Sequence, residues 1–349
     1  MIKSLKLQNF RSYGNKTFNF DPTTNILVGP NAIGKTNILE AILVSRVGSS
    51  YRAKDIDLIA FKKDWARIDA LDDGSERIIK IQKTSFPPKT FEINNQTYKR
   101  LPASLKLPVV LFEPNNMMVL NGSPEGRRTY LDNYTEQVDP EYGLILRKFI
   151  RAIAQRNSLL KGPLTPRADQ LFPWNIRVSQ LGGQIVKYRT ELINKINKIL
   201  PAIYSNLSKD NVQTRLVYVP QLPVSSYESS YLKKLEENLN EDIRIGFTTY
   251  GPHRDDFSFT FNGHPSNTYA SRGEIKTAVL ALKVTELENL KNTKEAPPIV
   301  LLDDVYSELD HVRRKALTSY LAGSQLFITT TDADLVSRRL ALKSRVITL

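Results

Sequence analysis

Cysteine is missing from all 349 residues. Disulfides, thiol nucleophiles and thiolate metal sites are therefore excluded, and the composition suits a reducing compartment. Histidine is nearly as scarce, with three residues scattered at His253, His264 and His311, which argues against a His-rich metal centre. No apolar run approaches the ~18 residues needed to span a bilayer. Met1-Ile2-Lys3-Ser4 leads into an alternating pattern and not into a signal-peptide core. A soluble, cytoplasmic protein with no membrane partner is the expectation. Acidic residues are the minority charge: 36 Asp+Glu stand against 49 Lys+Arg, a net charge of +13, which points to a polyanionic partner. There is no internal repeat or low-complexity tract. The length exceeds the size at which a single core stops growing, so two domains or lobes are expected.

What is present begins with Gly29-Pro30-Asn31-Ala32-Ile33-Gly34-Lys35-Thr36, the G-x-x-x-x-G-K-T spacing of a phosphate-binding P-loop. Glycines let the backbone curl so that successive N–H groups face an anion, and the helix that follows adds its positive end. Lys35 would reach the β- and γ-phosphates of ATP, and the Thr36 hydroxyl would hold Mg²⁺. The flanks agree: Ile26-Leu27-Val28 suits a buried strand, and Ile38, Leu39, Ala41, Ile42 and Leu43 follow at helical spacing.

Along the chain, Leu5 and Leu7 alternate with Lys6 and Gln8 in a strand read as ending at Arg11. Segments 67–71 and 77–81 flank Asp72-Asp73-Gly74 as a hairpin, and Asn94-Asn95 marks another turn. The N-terminal third is thus mixed α/β. From Arg127 to about Tyr204 the period is helical. Between Leu144 and Leu200 eleven basic residues (Arg147, Lys148, Arg151, Arg156, Lys161, Arg167, Arg177, Lys187, Arg189, Lys195 and Lys198) face two acids, Asp169 and Glu191. This cluster reads either as a nucleic-acid surface or as a solvated helical face. Pro220 to Tyr231 reads as a loop, with a short polar helix opening at Leu232. A strand over Phe257–Phe261 and a helix from about Glu274 to Leu290 follow.

A second motif completes the phosphate chemistry. Pro298 to Leu302 is an apolar run closed by Asp303-Asp304, the form of a Walker B strand. Asp303 would position Mg²⁺, and Asp304 would polarise the attacking water, with Lys35 as its catalytic companion. Lys35 and Asp303 lie 268 residues apart, so a large block is inserted between two halves of one ATPase sheet. Ser271-Arg272-Gly273-Glu274 fits the S-x-G-[QE] signature of ABC ATPases, but also a plain capping box of Ser271 with Glu274. Ser307-Glu308-Leu309-Asp310 fits the D-loop of the same class. In that class Ser271, Gly273 and Asp310 would act in trans, on ATP held by a second copy, which implies an ATP-dependent homodimer.

These motifs, together with Asn9-Phe10-Arg11-Ser12-Tyr13, Asn37, Leu39-Glu40-Ala41, Val109 to Pro114, Gly122-Ser123-Pro124, Arg127-Arg128, Leu131-Asp132, Gln155-Arg156-Asn157, Gly251-Pro252-His253-Arg254-Asp255-Asp256 and Thr329-Thr330-Thr331, resemble the RecF family of SMC-like ABC ATPases over nearly the whole chain. The resemblance implies an α/β ATPase head of ABC/SMC type at 1–115 with 246–349, and a mostly helical, basic second lobe at 116–245 whose edge supplies 270–274. It implies a DNA-binding clamp at single-stranded, gapped or junction DNA that acts with RecO- and RecR-type mediators to load RecA in repair, replication restart and the SOS response. It places Arg11 and Asn37 near the nucleotide. Asp304, one methylene shorter than the Glu of faster relatives, implies slow hydrolysis. Ser49 and Tyr51 depart from the Arg and His usual there, and Arg272 and Glu274-Ile275 depart from the usual glutamines. The other class the motifs allow is a transporter nucleotide-binding subunit.

Overall fold

The computed structural model describes residues 1–162, 168–331 and 344–349, apart from the side chains of Ala168, Ser307 and Glu308. In chain order the elements are β1 (Ile2–Phe10), β2 (Tyr13–Asn19), β3 (Thr24–Val28), α1 (Lys35–Val47), β4 (Trp65–Asp72), β5 (Ser75–Gln82), β6 (Lys89–Ile93), β7 (Gln96–Tyr98) and β8 (Val109–Phe112). Next come α2 (Met118–Asn121), α3 (Pro124–Val138), α4 (Pro140–Leu160), α5 (Ala168–Ser208), β9 (Thr214–Val219), α6 (Tyr227–Glu237), α7 (Leu239–Ile245), β10 (Asp256–Phe261), β11 (His264–Pro265) and α8 (Ser266–Tyr269). The chain returns through α9 (Arg272–Thr293), β12 (Ile299–Leu302), α10 (Val305–Glu308), α11 (His311–Leu321), β13 (Leu326–Thr330) and β14 (Ser344–Thr348).

Two compact units result, residues 1–116 with 286–349 and residues 117–285. The return crossing falls inside α9 and not at position 246. β10 sets it there: Asp256 through Phe261 pair antiparallel with Val219 back to Thr214, so a ladder ties 256–261 into the second unit.

The first unit holds an antiparallel sheet in the order β2-β1-β4-β5-β6-β7 and a parallel sheet in the order β14-β3-β13-β12-β8. Every residue of β8, β12 and β13 is buried, as parallel strands covered on both faces require. β1 instead alternates, with Leu5 and Leu7 inside and Lys6 outside the core. It ends at Phe10, and Arg11 turns the chain at φ +52°. Helix α1 buries Ile38, Leu39, Ala41, Ile42 and Val44 in one core shared with residues of both sheets. At about 1.5–3 kcal/mol per fully buried side chain, packing on both sides fixes the helix and with it the loop at its N-terminus. Asp72, read as a turn residue, also closes this core: it takes a 2.9 Å bond from buried Arg46 on α1 and lies 3.6 Å from Arg77.

The topology explains where chemistry can occur. In a parallel sheet the loops beyond the carboxyl ends of the strands share one edge. β13 lies between β3 and β12, so the P-loop after β3 and the two aspartates after β12 flank the end of β13.

In the second unit α4, α5 and α6 surround Tyr142, Phe149, Val178, Ile185 and Tyr231. Ser123 and Asp139 cap α3 and α4, each followed by proline at the first helical turn, where the missing N–H costs nothing. Helix α6 starts at Tyr227, earlier than the Leu232 read from the sequence, because Tyr227 and Tyr231 are interior anchors. Their hydroxyls reach Asp255 Oδ2 at 3.2 Å and Tyr250 O at 2.7 Å.

Segment 251–256 is the hub of this unit. Gly251 has φ +127°, and a Cβ there would lie 2.1 Å from the Tyr231 hydroxyl, so only glycine fits. Pro252 O accepts from buried Arg189 at 2.6 Å. Asp255 accepts from Tyr218 at 2.7 Å and from Gln221 N at 2.9 Å, and Asp256 takes both arms of Arg127 at 2.6 Å. Arg128 donates to Asp255 O at 2.9 Å. The pairing of Arg127-Arg128 with Asp255-Asp256 joins two motifs that stand far apart in sequence.

Candidate nucleotide site and candidate DNA surface

The P-loop runs from Val28 to Lys35, with Ala32 at φ +65° and Gly34 at φ +113°. A Cβ on Gly34 would meet Ser12 Oγ at 2.8 Å and the Tyr13 hydroxyl at 2.9 Å. The β1–β2 turn is therefore part of the site's wall: Tyr13 donates to Gly34 O at 3.1 Å, and Asn37 Nδ2 donates to Ser12 Oγ at 2.9 Å. Lys35 is buried, its ammonium bonded to Gly29 O at 2.7 Å and Pro30 O at 3.0 Å. Pro30, Asn31, Ala32 and Ile33 form the outer arc, exposed from Asn31 to Ile33 in keeping with a loop open toward a ligand.

The two halves of the motif meet. Thr36 Oγ1 donates to Asp303 Oδ1 at 2.9 Å across 267 positions of sequence. Thr329, on β13, also donates to Asp303 Oδ1 at 2.9 Å, and its oxygen accepts the Asp304 N–H at 2.8 Å. Asp304 sits in the left-handed region at φ 54°, a strained setting for a non-glycine residue and one found where a side chain must be aimed. Burial raises the pKa of Asp303, as does the charge of Asp304, whereas the bonds from Thr329 and Thr36 lower it; the net direction is upward. A hydroxyl and a carboxylate converging at hydrogen-bond distance are hard oxygen donors suited to Mg²⁺. The curled loop, the lysine and this pair fit a Mg²⁺–nucleotide.

Arg11 is held by a residue that sequence reasoning left without a role. Fully buried Glu40 accepts from Arg11 Nε at 2.8 Å and Nη2 at 2.9 Å, from Ser50 Oγ at 2.5 Å and from Arg52 at 3.1 Å. Burial pushes the Glu40 carboxyl up, but the bonds from Arg11, Arg52 and Ser50 outweigh it and hold the pKa below the ordinary value. Arg52 also reaches Asn37 Oδ1 at 2.8 Å. Tyr51, one of the departures, is a neighbour of the site: burial and then the charge of Asp303 raise its phenol. Glu40 and Thr329 both stand in motifs quoted above, but only the three-dimensional neighbours reveal what they hold.

Ser271, Gly273 and Asp310 stand at helix N-termini. Ser271 and Gly273 are exposed at the start of α9 in the second unit. The capping box is formed, with Ser271 N donating to Glu274 Oε2 at 2.7 Å and Glu274 N to Ser271 Oγ at 3.3 Å. The Ser271 hydroxyl and N–H both serve the Glu274 carboxylate and together hold its pKa below the ordinary value. Asp310 caps α11, accepting from Arg313 N at 2.9 Å and pairing with the Arg313 guanidinium. The side chains of Ser307 and Glu308 lie outside the described residues.

The basic block is less of a surface than its charge count suggests. Arg156 and Arg189 are interior. Arg156 bonds Asn175 Oδ1 at 2.8 Å, Asp242 Oδ2 at 2.7 Å and Thr248 Oγ1 at 2.7 Å. Arg189 pairs with Asp132 at 2.7 Å, and Arg147 with Glu136 at 3.1 Å. Lys148, Arg151, Lys161, Arg177, Lys187, Lys195 and Lys198 are exposed, and Arg167 lies outside the described residues. Among the described residues no helix is long and apolar enough to cross a membrane.

The P-loop, the paired aspartates at the sheet edge and the split head define the SMC-type class of ABC ATPase, and the profile of the RecF/RecN/SMC N terminal domain matches residues 1–346. Among curated proteins, the DNA replication and repair protein RecF of Natranaerobius thermophilus is 35% identical over 95% of this chain and 92% of its own length. That of Heliobacterium modesticaldum is 36% identical with the same coverage. The solved structure of the recombination mediator protein RecF with ATPrS, described as part of the RecFOR pathway, superposes with a TM-score of 0.89 at 28% identity, covering 99% of this chain and 96% of the other. An SMC head bound to the C-winged helix domain of ScpA shares the fold at TM-score 0.55 and 17% identity over 96% and 90% of the two chains. The chain belongs to the RecF family of DNA replication and repair proteins.

Proposed function

We propose that this protein is an ATP-dependent DNA clamp of recombinational repair, whose two copies close when each P-loop nucleotide is covered by the signature segment of the other. The observation that carries the reading is the Thr36–Asp303–Thr329–Asp304 cluster beside the P-loop. Lys35, by leaving Gly29 O and Pro30 O, neutralises the β- and γ-phosphates of ATP, while Thr36 and Asp303 hold Mg²⁺. Bound Mg²⁺ supplies charge neutralisation at the phosphates. Asp304, aimed by its left-handed backbone and by Thr329, orients the attacking water. Glu40 keeps Arg11 and Arg52 beside this cluster. Ser271, Gly273 and Asp310 serve the partner copy's nucleotide. Hydrolysis through a short aspartate is slow, so ATP works as a timer: binding closes the dimer on single-stranded, gapped or junction DNA, and hydrolysis releases it. RecO- and RecR-type mediators and RecA are the protein partners this role calls for. The test is complementation between two inactive variants, Lys35→Ala and Ser271→Arg, because a site shared between copies regains activity only when they are mixed.

A further inference from the structure

A second cationic feature lies away from the nucleotide site. In the first unit, the end of α1, strand β6 and the segment just after β7 line an open cleft of about 350 Å³. Lys89, Lys99, Arg100 and Lys106 line it, with Asp55 the only carboxylate among its lining residues. Lys89 is paired with Asp55, and Lys99 and Arg100 are exposed, with no side-chain partner among the described residues. Like charges crowded in this way repel, and an anion relieves the repulsion.

The β5–β6 loop that reaches this cleft carries an exposed ring. Pro87, one of its lining residues, follows Phe86 in the β5–β6 loop. Phe86 is 98% exposed, the most exposed large hydrophobic residue described, and Trp65 is 43% exposed. The two belong to one end of the antiparallel sheet: Trp65 pairs with Gln82, Lys83 N bonds Asp64 O at 3.0 Å, and Gln82 N bonds Pro88 O at 2.8 Å, which folds the Phe86 loop back on the strand ends. A bare phenyl ring gains nothing from water, and none of the described residues covers this one. Unpaired cations beside an exposed ring match a polymer that alternates phosphates with stackable bases. In a duplex the bases are already stacked on one another, so the ring selects unpaired ones.

We propose that this cleft and the β5–β6 loop hold a single-stranded nucleic-acid segment, with a phosphate on Lys99 and Arg100 and a base stacked on Phe86. The inference rests on the DNA-clamp reading and adds to it a strand-selective site on the first unit. The test is fluorescence anisotropy of the full chain with Mg²⁺–ATP, using a labelled oligothymidylate of about fifteen nucleotides and a blunt duplex of equal length. Phe86→Ala, at a side chain with no packing role, weakens oligothymidylate binding by about 5- to 160-fold, the contribution of one stacked base, and leaves duplex binding unchanged. Replacing Lys99 and Arg100 together by alanine removes one phosphate contact and lowers the salt slope for the single strand by about 0.7. Three results would overturn the inference: single-strand binding indifferent to Phe86, equal losses on both ligands, or a change confined to self-association in sedimentation, which would assign the ring to a second copy. If the wild-type chain binds neither DNA, the clamp reading itself fails.

Discussion

Thr329 gives the sharpest single-residue prediction, because one buried hydroxyl serves both aspartates of the candidate site, one through its carboxylate and the other through its backbone N–H. It donates to Asp303 Oδ1 at 2.9 Å and accepts the Asp304 N–H at 2.8 Å, and the residue is 1% exposed. Thr329→Val keeps the shape and removes the oxygen. A hydrogen bond to a charged group contributes about 1.5–3 kcal/mol, and a buried N–H left without a partner costs about 1–3 kcal/mol. The two effects overlap through Asp304, so the expected loss is about 2–4 kcal/mol, read as a lower urea midpoint with an unchanged m-value. The same change releases Asp304 from its strained conformation. Steady-state ATP hydrolysis at saturating nucleotide therefore falls at least about tenfold, about 1.4 kcal/mol of transition-state stabilisation. ATP affinity stays near wild type, because the P-loop contacts of Lys35 do not involve Thr329. Thr329→Ser retains the oxygen and both properties. A Thr329→Val protein with wild-type stability and turnover would refute the assignment of this hydroxyl.

Two further predictions concern the second unit. Asp242→Ala strands buried Arg156, whose ion pair at 2.7 Å is 0% and 1% exposed, and costs about 3–5 kcal/mol in urea unfolding; an effect below 1 kcal/mol would mean the arginine finds solvent. His253 is held neutral: burial first, and then Arg254, Arg128 and Arg189, push its pKa down to about 4 from 6.5, against the bond to Thr248 O. The unfolded chain then binds the proton first, so stability falls as the pH drops from 6.5 to 4, by up to about 3 kcal/mol. Subtracting the unfolding profile of His253→Leu from that of wild type isolates this term, and parallel profiles would contradict it.

Local patterns announced the chemistry and concealed its support. The P-loop and the apolar run before Asp303 were legible because phosphate binding fixes both residue type and spacing. The β4–β5 hairpin was legible because Asp73-Gly74 must turn, with Gly74 at φ +72°. Thr329 and Glu40 could not be assigned from sequence, since their roles come from strand order and from an arginine that is adjacent only in space. Charge counting failed at Arg156 and Arg189 for the same reason: their partners Asp242 and Asp132 lie 86 and 57 positions away, so an interior ion pair looks like surface charge. Strand pairing moved the lobe boundary, because β10 joins β9 on the far side of a helical insertion. Tyr227 advanced the start of α6 in a stretch whose proline and serine content suggested only a loop.

Completion of the nucleotide site by a second copy is tested most directly by mixing variants. Lys35→Ala leaves the P-loop unable to hold the γ-phosphate but keeps Ser271, whereas Ser271→Arg keeps the P-loop and blocks the trans contact. Neither variant alone hydrolyses ATP or doubles its mass in light scattering with Mg²⁺–ATP. Mixed in equal amounts, they form heterodimers with one intact site, and hydrolysis returns to at most about half of the wild-type rate, since every pair that forms carries one of two sites. A Ser271→Arg protein that hydrolyses ATP at the wild-type rate by itself, or a mixture as inactive as its components, would contradict it.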